Sequence, residues 1–220
     1  MIKISNRLKT IANLVLKEET NGIIDVGCDH GLLDIYLLQN NNKLKIIASD
    51  INKLPLESAK KNIEKYSFLN NIELKLIDGL KGIEDNIDTV VIAGMGKETI
   101  VKILKEDKEK LINVKRLIIA SNSNIYGIRK EITNMEFIIT DEKVVFEDDK
   151  YYVIEEFKKG KKKYTEEDLF LGPILRKDKE SLSYYNYLKE KNREIINKIP
   201  ENNKTRNELI KEIEMLNKVS

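Results

Sequence analysis

Five short apolar runs, at residues 22–27, 44–49, 72–77, 89–93 and 116–120, alternate with helix-length intervals along the first part of the chain. That alternation predicts a parallel, doubly wound α/β sheet, because parallel neighbours need a crossover between them. Two further runs, 137–146 and 151–157, are separated only by Glu147-Asp148-Asp149-Lys150. This link is too short for a crossover helix, so these two strands pair antiparallel. Upstream, Ile4, Leu8, Ile11, Ala12, Val15 and Leu16 recur at helical spacing and predict an amphipathic helix over residues 3–18.

Five parallel strands closed by a hairpin fit the Rossmann-like class I methyltransferase fold better than a nicotinamide-binding domain, which continues in parallel units. Gly160-Lys161-Lys162-Lys163 breaks the strand pattern, and the sequence beyond it is charged and helical in period. A boundary near residue 160 therefore divides the chain into a sheet domain, 1–160, and a helical domain, 161–220. In the second, Leu182, Tyr185, Leu188, Asn192, Ile195 and Ile199 recur three and four apart. Leu209, Ile213 and Leu216 follow after Pro200-Glu201-Asn202-Asn203. Two helices joined by that turn make an antiparallel hairpin or a short coiled coil.

The chain has 220 residues, 41% of them apolar, enough to bury a core. It has no run of eighteen apolar residues, and Met1-Ile2-Lys3-Ile4-Ser5 lacks the features of a signal peptide. A cytoplasmic protein without membrane contact is expected. One cysteine, Cys28, excludes an internal disulfide, and with the single histidine, His30, it supplies too few soft ligands for structural zinc. No metal is expected. The net charge of +2 hides an asymmetry, since residues 158–220 carry 16 basic and 11 acidic side chains. This basic part either attracts a polyanion or reflects the general abundance of lysine in the chain.

Residues 23–34 read IIDVGCDHGLLD, a buried strand entering a tight turn before a helix, and such turns face a ligand. A dinucleotide fingerprint needs glycine at its first, third and sixth positions, which here are Gly27, Asp29 and Leu32. A pyrophosphate would meet the Asp29 carboxylate where it needs bare amides and a positive helix end. A cofactor with a cationic or zwitterionic end, such as S-adenosylmethionine, escapes that repulsion, and Gly27 and Gly31 let the backbone approach it. Asp25, Gly27, Cys28, Asp29, His30 and Gly31 are accordingly candidate cofactor contacts.

The second strand ends in Ser49-Asp50-Ile51-Asn52, with Asp50 23 residues beyond Gly27, where one carboxylate grips both hydroxyls of a ribose. Asp78, before Gly79 at the end of the third strand, can accept from an adenine amine, with Ile51 and Leu80 as walls for the ring. An Asp before Gly at a strand end also serves simply as a turn or helix cap. The fourth strand runs into Ala93-Gly94-Met95-Gly96-Lys97. The two glycines around Met95 leave a low wall beside a sulfonium and room for a flat substrate, or make an ordinary strand-to-helix turn. After the fifth strand, Ser121-Asn122-Ser123-Asn124 offers amides to a base edge. Helix capping accounts for Ser123 or Asn124 but not for Asn122.

DVGCDHG, SDINKLPLESAKKN, IDGL, VVIAGMG and FLGPIL resemble the bacterial tRNA (adenine-22-N1)-methyltransferases, the TrmK family, over essentially the whole chain. The narrowest part of the match is Asp29-His30 together with Ala93-Gly94-Met95-Gly96. The chain departs from the family pattern at Cys28, where Ser or Thr is common, at Ser49, and at Ser121-Asn122, where Pro-Asn is usual. The resemblance implies methyl transfer from S-adenosylmethionine, leaving S-adenosylhomocysteine, to N1 of adenosine 22 in the D-arm region of tRNA. The C-terminal helices would help to hold the RNA, and a monomer is expected.

In that reading the target base is extruded into the pocket. Asp29 accepts from adenine N6 and offsets the charge that develops on the ring. Asn122 and the backbone of Gly94, Met95 and Gly96 complete the base pocket, with Met95 as its apolar face. Arg7, on the N-terminal helix, borders the mouth as a phosphate contact or a solvated side chain. His30 is a ligand contact or a hydrogen-bonded turn residue, and Cys28 a small packing residue. Tyr184 and Tyr187 are candidate stacking surfaces for unpaired bases, while Tyr185 fits the helical core stripe. The rival readings are a methyltransferase acting on another RNA position or another acceptor, and a catalytically silent RNA-binding module.

Overall fold

Alternate side chains of the central strands enter two different cores in the computed structural model, which describes residues 1–219. On β1 (Ile23–Val26), Ile24 and Val26 face one side and Ile23 the other; on β2 (Ile46–Asp50), Ile47 opposes Ile46 and Ala48. The third strand, β3 (Ile72–Leu76), lies at the sheet edge and is only half-buried. On β4 (Thr89–Ala93) and β5 (Arg116–Ser121), Val90, Ile92, Leu117 and Ile119 oppose Val91, Ile118 and Ala120. Burial on both faces makes such strands continuous apolar runs in the sequence.

The sheet order is β3-β2-β1-β4-β5-β7-β6, parallel from β3 through β5. The chain winds outward from β1 to β3 and returns to the other side of β1 at β4. That reversal opens a crevice beyond the carboxyl ends of β1 and β4. The hairpin forms as expected: β6 (Phe137–Glu147) pairs antiparallel with β7 (Lys150–Lys159), which pairs antiparallel with β5. Asp148 and Asp149 turn it, both at positive φ (51° and 57°), the turn geometry that matches strand twist.

Three helices, α1 (Asn6–Leu16), α2 (Leu32–Asn40) and α3 (Lys53–Lys65), cover one face of the sheet. The other face carries α4 (Lys97–Glu106), α5 (Ile125–Asn134) and the C-terminal helices α6 (Glu166–Leu171), α7 (Leu182–Ile196) and α8 (Lys204–Leu216). One interval departs from the expected alternation. Residues 77–88, between β3 and β4, hold turns and no helix, because Asp78-Gly79, Gly82 and Asp85-Asn86 disfavour one. Ile199, placed on the helical stripe by spacing, lies beyond the end of α7.

Leu171, Leu175, Tyr185 and Leu216 join the same core as α5 and β5. A buried charge cluster pins this segment. Arg129 on α5 is 2.6 Å from Glu155 and 2.8 Å from Glu142, and its Nη1 donates to the carbonyls of Leu169 and Phe170. Glu142 accepts from the amides of Ile174 and Leu175. Burial pushes the Glu155 carboxyl up to about 8, against the pull of Arg129. A Cβ on Gly172 (φ +87°) would stand 2.6 Å from both Arg129 Nη2 and Glu142 Oε1. FLGPIL is therefore the segment that docks the C-terminal helices on the sheet.

Candidate active site

The crevice at the strand ends encloses a cavity of about 570 Å³. The turn after β1 shapes its floor. Gly27 and Cys28 donate their amides to the Ser49 carbonyl at 2.8 and 2.9 Å, locking the turn to β2. Gly27 has φ +78°, and a Cβ there would meet the Met95 methyl at 2.5 Å, so Met95 reaches across the cavity onto this glycine. Asp29 also holds a positive φ, 51°, which aspartate tolerates, and its side chain is 71% exposed.

The lining includes Asp25, Asp29, Asp50, Asp78, Glu106 and Asp107, against Arg7 and Lys102. Such a wall favours a cationic ligand and opposes a pyrophosphate. Burial, and then the charge of Asp50, pushes the Asp25 carboxyl up to about 7. A hydrogen bond from Lys81 holds Asp78 below the ordinary carboxylate range. Burial, then Asp34, Asp25 and Asp50, pushes the Cys28 thiol up, so Cys28 packs and is no thiolate nucleophile.

Asp50 Oδ1 accepts from the Asn52 amide at 2.7 Å, leaving Oδ2 for a ligand. Ile51 is 64% exposed over the cavity, an apolar surface with room for a flat ring. Leu80 is not the other wall, since it is fully buried in the core, and Ile77 and Ile103 line the cavity instead. The Asp78-Gly79 turn is closed from α4, where Asp107 accepts from the Leu80 amide at 2.8 Å. Thr99, Lys102, Ile103 and Glu106 of α4, and Asp107 just after it, were missed by sequence reasoning; the helix is amphipathic, and its pattern does not say what its polar edge meets.

His30 does two things at once. Its Nδ1 lies 2.7 Å from Ser58 Oγ on α3, its Nε2 lies 3.6 Å from Asp29, and the residue lines the cavity. Arg7 is held rather than solvated: its amide and Nε donate to Glu147, and its guanidinium lies 4.7 Å over the Tyr152 ring. A Cβ on Gly94 would be 3.6 Å from Arg7 Nη1, so Arg7 reaches the mouth beside the β4 turn.

Asn52, Ala93, Gly94 and Met95 line this cavity, but Asn122 does not. Asn122 lies at a second cleft of about 490 Å³, across a wall formed by the loops after β4 and β5. In that wall Ser121 Oγ donates to the Met95 carbonyl at 2.9 Å, and Gly96, which starts α4, packs near Ser123. Asn124 caps α5 by accepting from the Gly127 amide. Tyr184 and Tyr187 line the second cleft, and Tyr185 is buried with its hydroxyl bonded to the Leu171 carbonyl. Among the described residues no group of side chains could hold a metal ion, and no helix is long and apolar enough to cross a membrane.

Comparisons with known proteins point to one family. The family model TrmK, tRNA (adenine(22)-N(1))-methyltransferase, matches residues 23–218. The tRNA (adenine(22)-N(1))-methyltransferase of Bacillus subtilis is 32% identical over 190 residues, covering 82% of this chain and 78% of that protein. The solved structure of M. capricolum TrmK with S-adenosyl-homocysteine is 33% identical at TM-score 0.86, covering 98% of this chain and 96% of that one. Streptococcus pneumoniae Sp1610 in complex with S-adenosyl-L-methionine is 29% identical at TM-score 0.86, covering 99% of both chains.

Proposed function

This chain belongs to the TrmK family of tRNA (adenine(22)-N(1))-methyltransferases, and we propose on that premise how its own residues carry the reaction. The activity is transfer of a methyl group from S-adenosylmethionine to N1 of adenosine 22 in tRNA. The carrying observation is the acid-lined cavity that opens onto Met95 at the switch point of the sheet.

The residues present fit the cofactor, since the carboxylates of the lining complement a cation and Gly27 lies in the cavity wall without a side chain. Asp25, Gly27, Cys28, Asp29 and His30 would hold its amino-acid end; Gly31, expected beside them, is packed against Ala59 and Ile63 of α3 and does not line the cavity. Asp50, Ile51 and Asn52 hold the ribose and cover the adenine, Asp78 and Gly79 read the adenine edge, and Ala93 and Gly94 line the sulfur side. When bound, S-adenosylmethionine supplies an electrophilic methyl group.

The chain itself positions the acceptor. N1 of neutral adenine carries its own lone pair, so no strong base is needed, and orientation in a dry site is the main contribution. Asp29 accepts from the N6 amine and opposes the positive charge that develops on the ring. Met95 and Gly96 form the low wall against which the flat base lies; Asn122, expected to complete this base pocket, opens on the second cleft beyond that wall and is not a contact of the target base. Arg7, fixed by Glu147 and Tyr152, is a phosphate contact at the mouth.

The last strand ends at Lys159, and residues 161–220 are an RNA-holding helical extension that shares a core with the cofactor-binding part, residues 1–160. We propose that the enzyme works in the cytoplasm, where tRNA is, and as a monomer. The test is incubation with labelled S-adenosylmethionine and unmodified tRNA, followed by chromatography of the nucleosides. Labelled 1-methyladenosine is expected. Tight cofactor binding without that product would exclude this acceptor.

A further inference from the structure

The second cleft lies between the turn after β5, the start of β7 and the α7–α8 hairpin. Its walls are aromatic: the ring centroids of Tyr151 and Tyr187 are 5.1 Å apart, and Tyr184 lies 5.6 Å from Tyr151. Tyr187 is 42% exposed and lines the cleft. Lys150 and Lys191 stand at the same cleft, exposed, with no ion pair or side-chain hydrogen bond among the described residues. Glu212 also lines the cleft, and its carboxylate accepts from Asn192 at 2.8 Å. The Asn122 amide is exposed and has no hydrogen-bond partner among the described residues.

A half-exposed aromatic ring, an unengaged amide and two unpaired cations are what a nucleotide requires: a stack for the base, a partner for its edge, charge for its phosphate. We propose that this cleft holds a second unstacked nucleobase of the tRNA, the one next to the target adenosine, against Tyr187. The proposal rests on the tRNA reading above. Extruding the target breaks its stacking on its neighbours, and a neighbour received by Tyr187 regains a stack and keeps the strand open. The Ser121–Met95 hydrogen bond ties the turn that lines the first cavity to the turn that lines this cleft, so the two sites share a wall.

Binding of tRNA to the wild type, Tyr187→Ala and Tyr187→Phe is measured by fluorescence anisotropy. Intact tRNA is compared with tRNAs lacking the base on the 5′ or the 3′ side of the target. Tyr187→Ala weakens binding of intact tRNA about tenfold, the size of one base–aromatic stack, and Tyr187→Phe restores it. Removing the base at one neighbour weakens the wild type similarly and has no further effect in Tyr187→Ala. Additive losses, or Tyr187→Ala binding as tightly as the wild type, overturn the proposal. An unchanged thermal shift with S-adenosylhomocysteine shows that the variant keeps its fold. Lys191→Ala, on the exposed rim, gives the same loss with a shallower salt dependence; unchanged binding there also counts against the subsite. If the wild type forms no 1-methyladenosine yet the coupling persists, the activity falls and the subsite stands. If 1-methyladenosine forms without coupling, the subsite alone falls.

Discussion

The hydroxyl of Ser121 donates a hydrogen bond to the backbone carbonyl of Met95 across 2.9 Å, tying the loop after β5 to the loop after β4. The family pattern carries proline at this position, which stiffens a loop through its ring. Here a buried hydroxyl does it through a bond. Ser121→Ala leaves that carbonyl without its partner and loosens the wall against which the acceptor base lies. Turnover is expected to fall about tenfold or more, with affinity for S-adenosylhomocysteine unchanged. Steady-state kinetics beside calorimetric binding check this, and an unchanged kcat counts against it.

Asp29→Asn separates charge from shape, because asparagine tolerates the same positive φ. The variant keeps the fold but loses the carboxylate that opposes the developing positive ring, together with a contact to the cofactor, so it is assayed at saturating S-adenosylmethionine. A fall in kcat of about a hundredfold is expected. Single-turnover methyl transfer measures it, and near-normal turnover removes Asp29 from the chemistry.

Asp25 predicts a pH dependence. With its carboxyl pushed up to about 7, the ligand-free protein holds a proton there below that pH. A cationic ligand group beside it favours the carboxylate, so binding releases the proton. Affinity for S-adenosylmethionine should rise from pH 5 to 7, by up to about tenfold per unit, and level off above. Asp25→Asn flattens the profile. In the ligand-free chain the raised value, above the ordinary 3.8, makes this group's contribution to stability fall as pH rises between about 4 and 7. Titrations at pH 6 in two buffers of different ionisation enthalpy check the proton release, and equal heats contradict it.

Arg129→Met leaves Glu142 and Glu155 buried without their cation. A loss of about 3–5 kcal/mol in urea unfolding is expected. Gly172→Ala should be destabilising through the same cluster, since its Cβ would press on Arg129 and Glu142. Unfolding midpoints equal to the wild type in both would show that the cluster does not hold the C-terminal helices.

β1, β4 and β5 were legible because burial on both faces removes polar residues from a strand. Gly27 and Asp29 stood out because Asp29 departs from the dinucleotide fingerprint that Gly27 would begin at a strand-to-helix turn, whereas Gly31 beside them makes room for Ala59 of α3 and not for a ligand. The α4 face toward the cavity was hidden, since spacing marks an amphipathic helix but not what its polar edge meets. Leu80 shows the same limit: sequence put it next to Asp78, and only the packing turned it into the core. Tyr126, Tyr151 and Tyr187 come from α5, β7 and α7, so no local pattern could unite them in one cleft.

Methyl transfer to tRNA with and without adenosine at position 22 decides the activity most directly. The purified chain is incubated with methyl-labelled S-adenosylmethionine and two unmodified transcripts, one native and one carrying guanosine at that position. Label in 1-methyladenosine from the native transcript and none from the other is the expected result. Equal label in both, label in a different nucleoside, or none in either contradicts it.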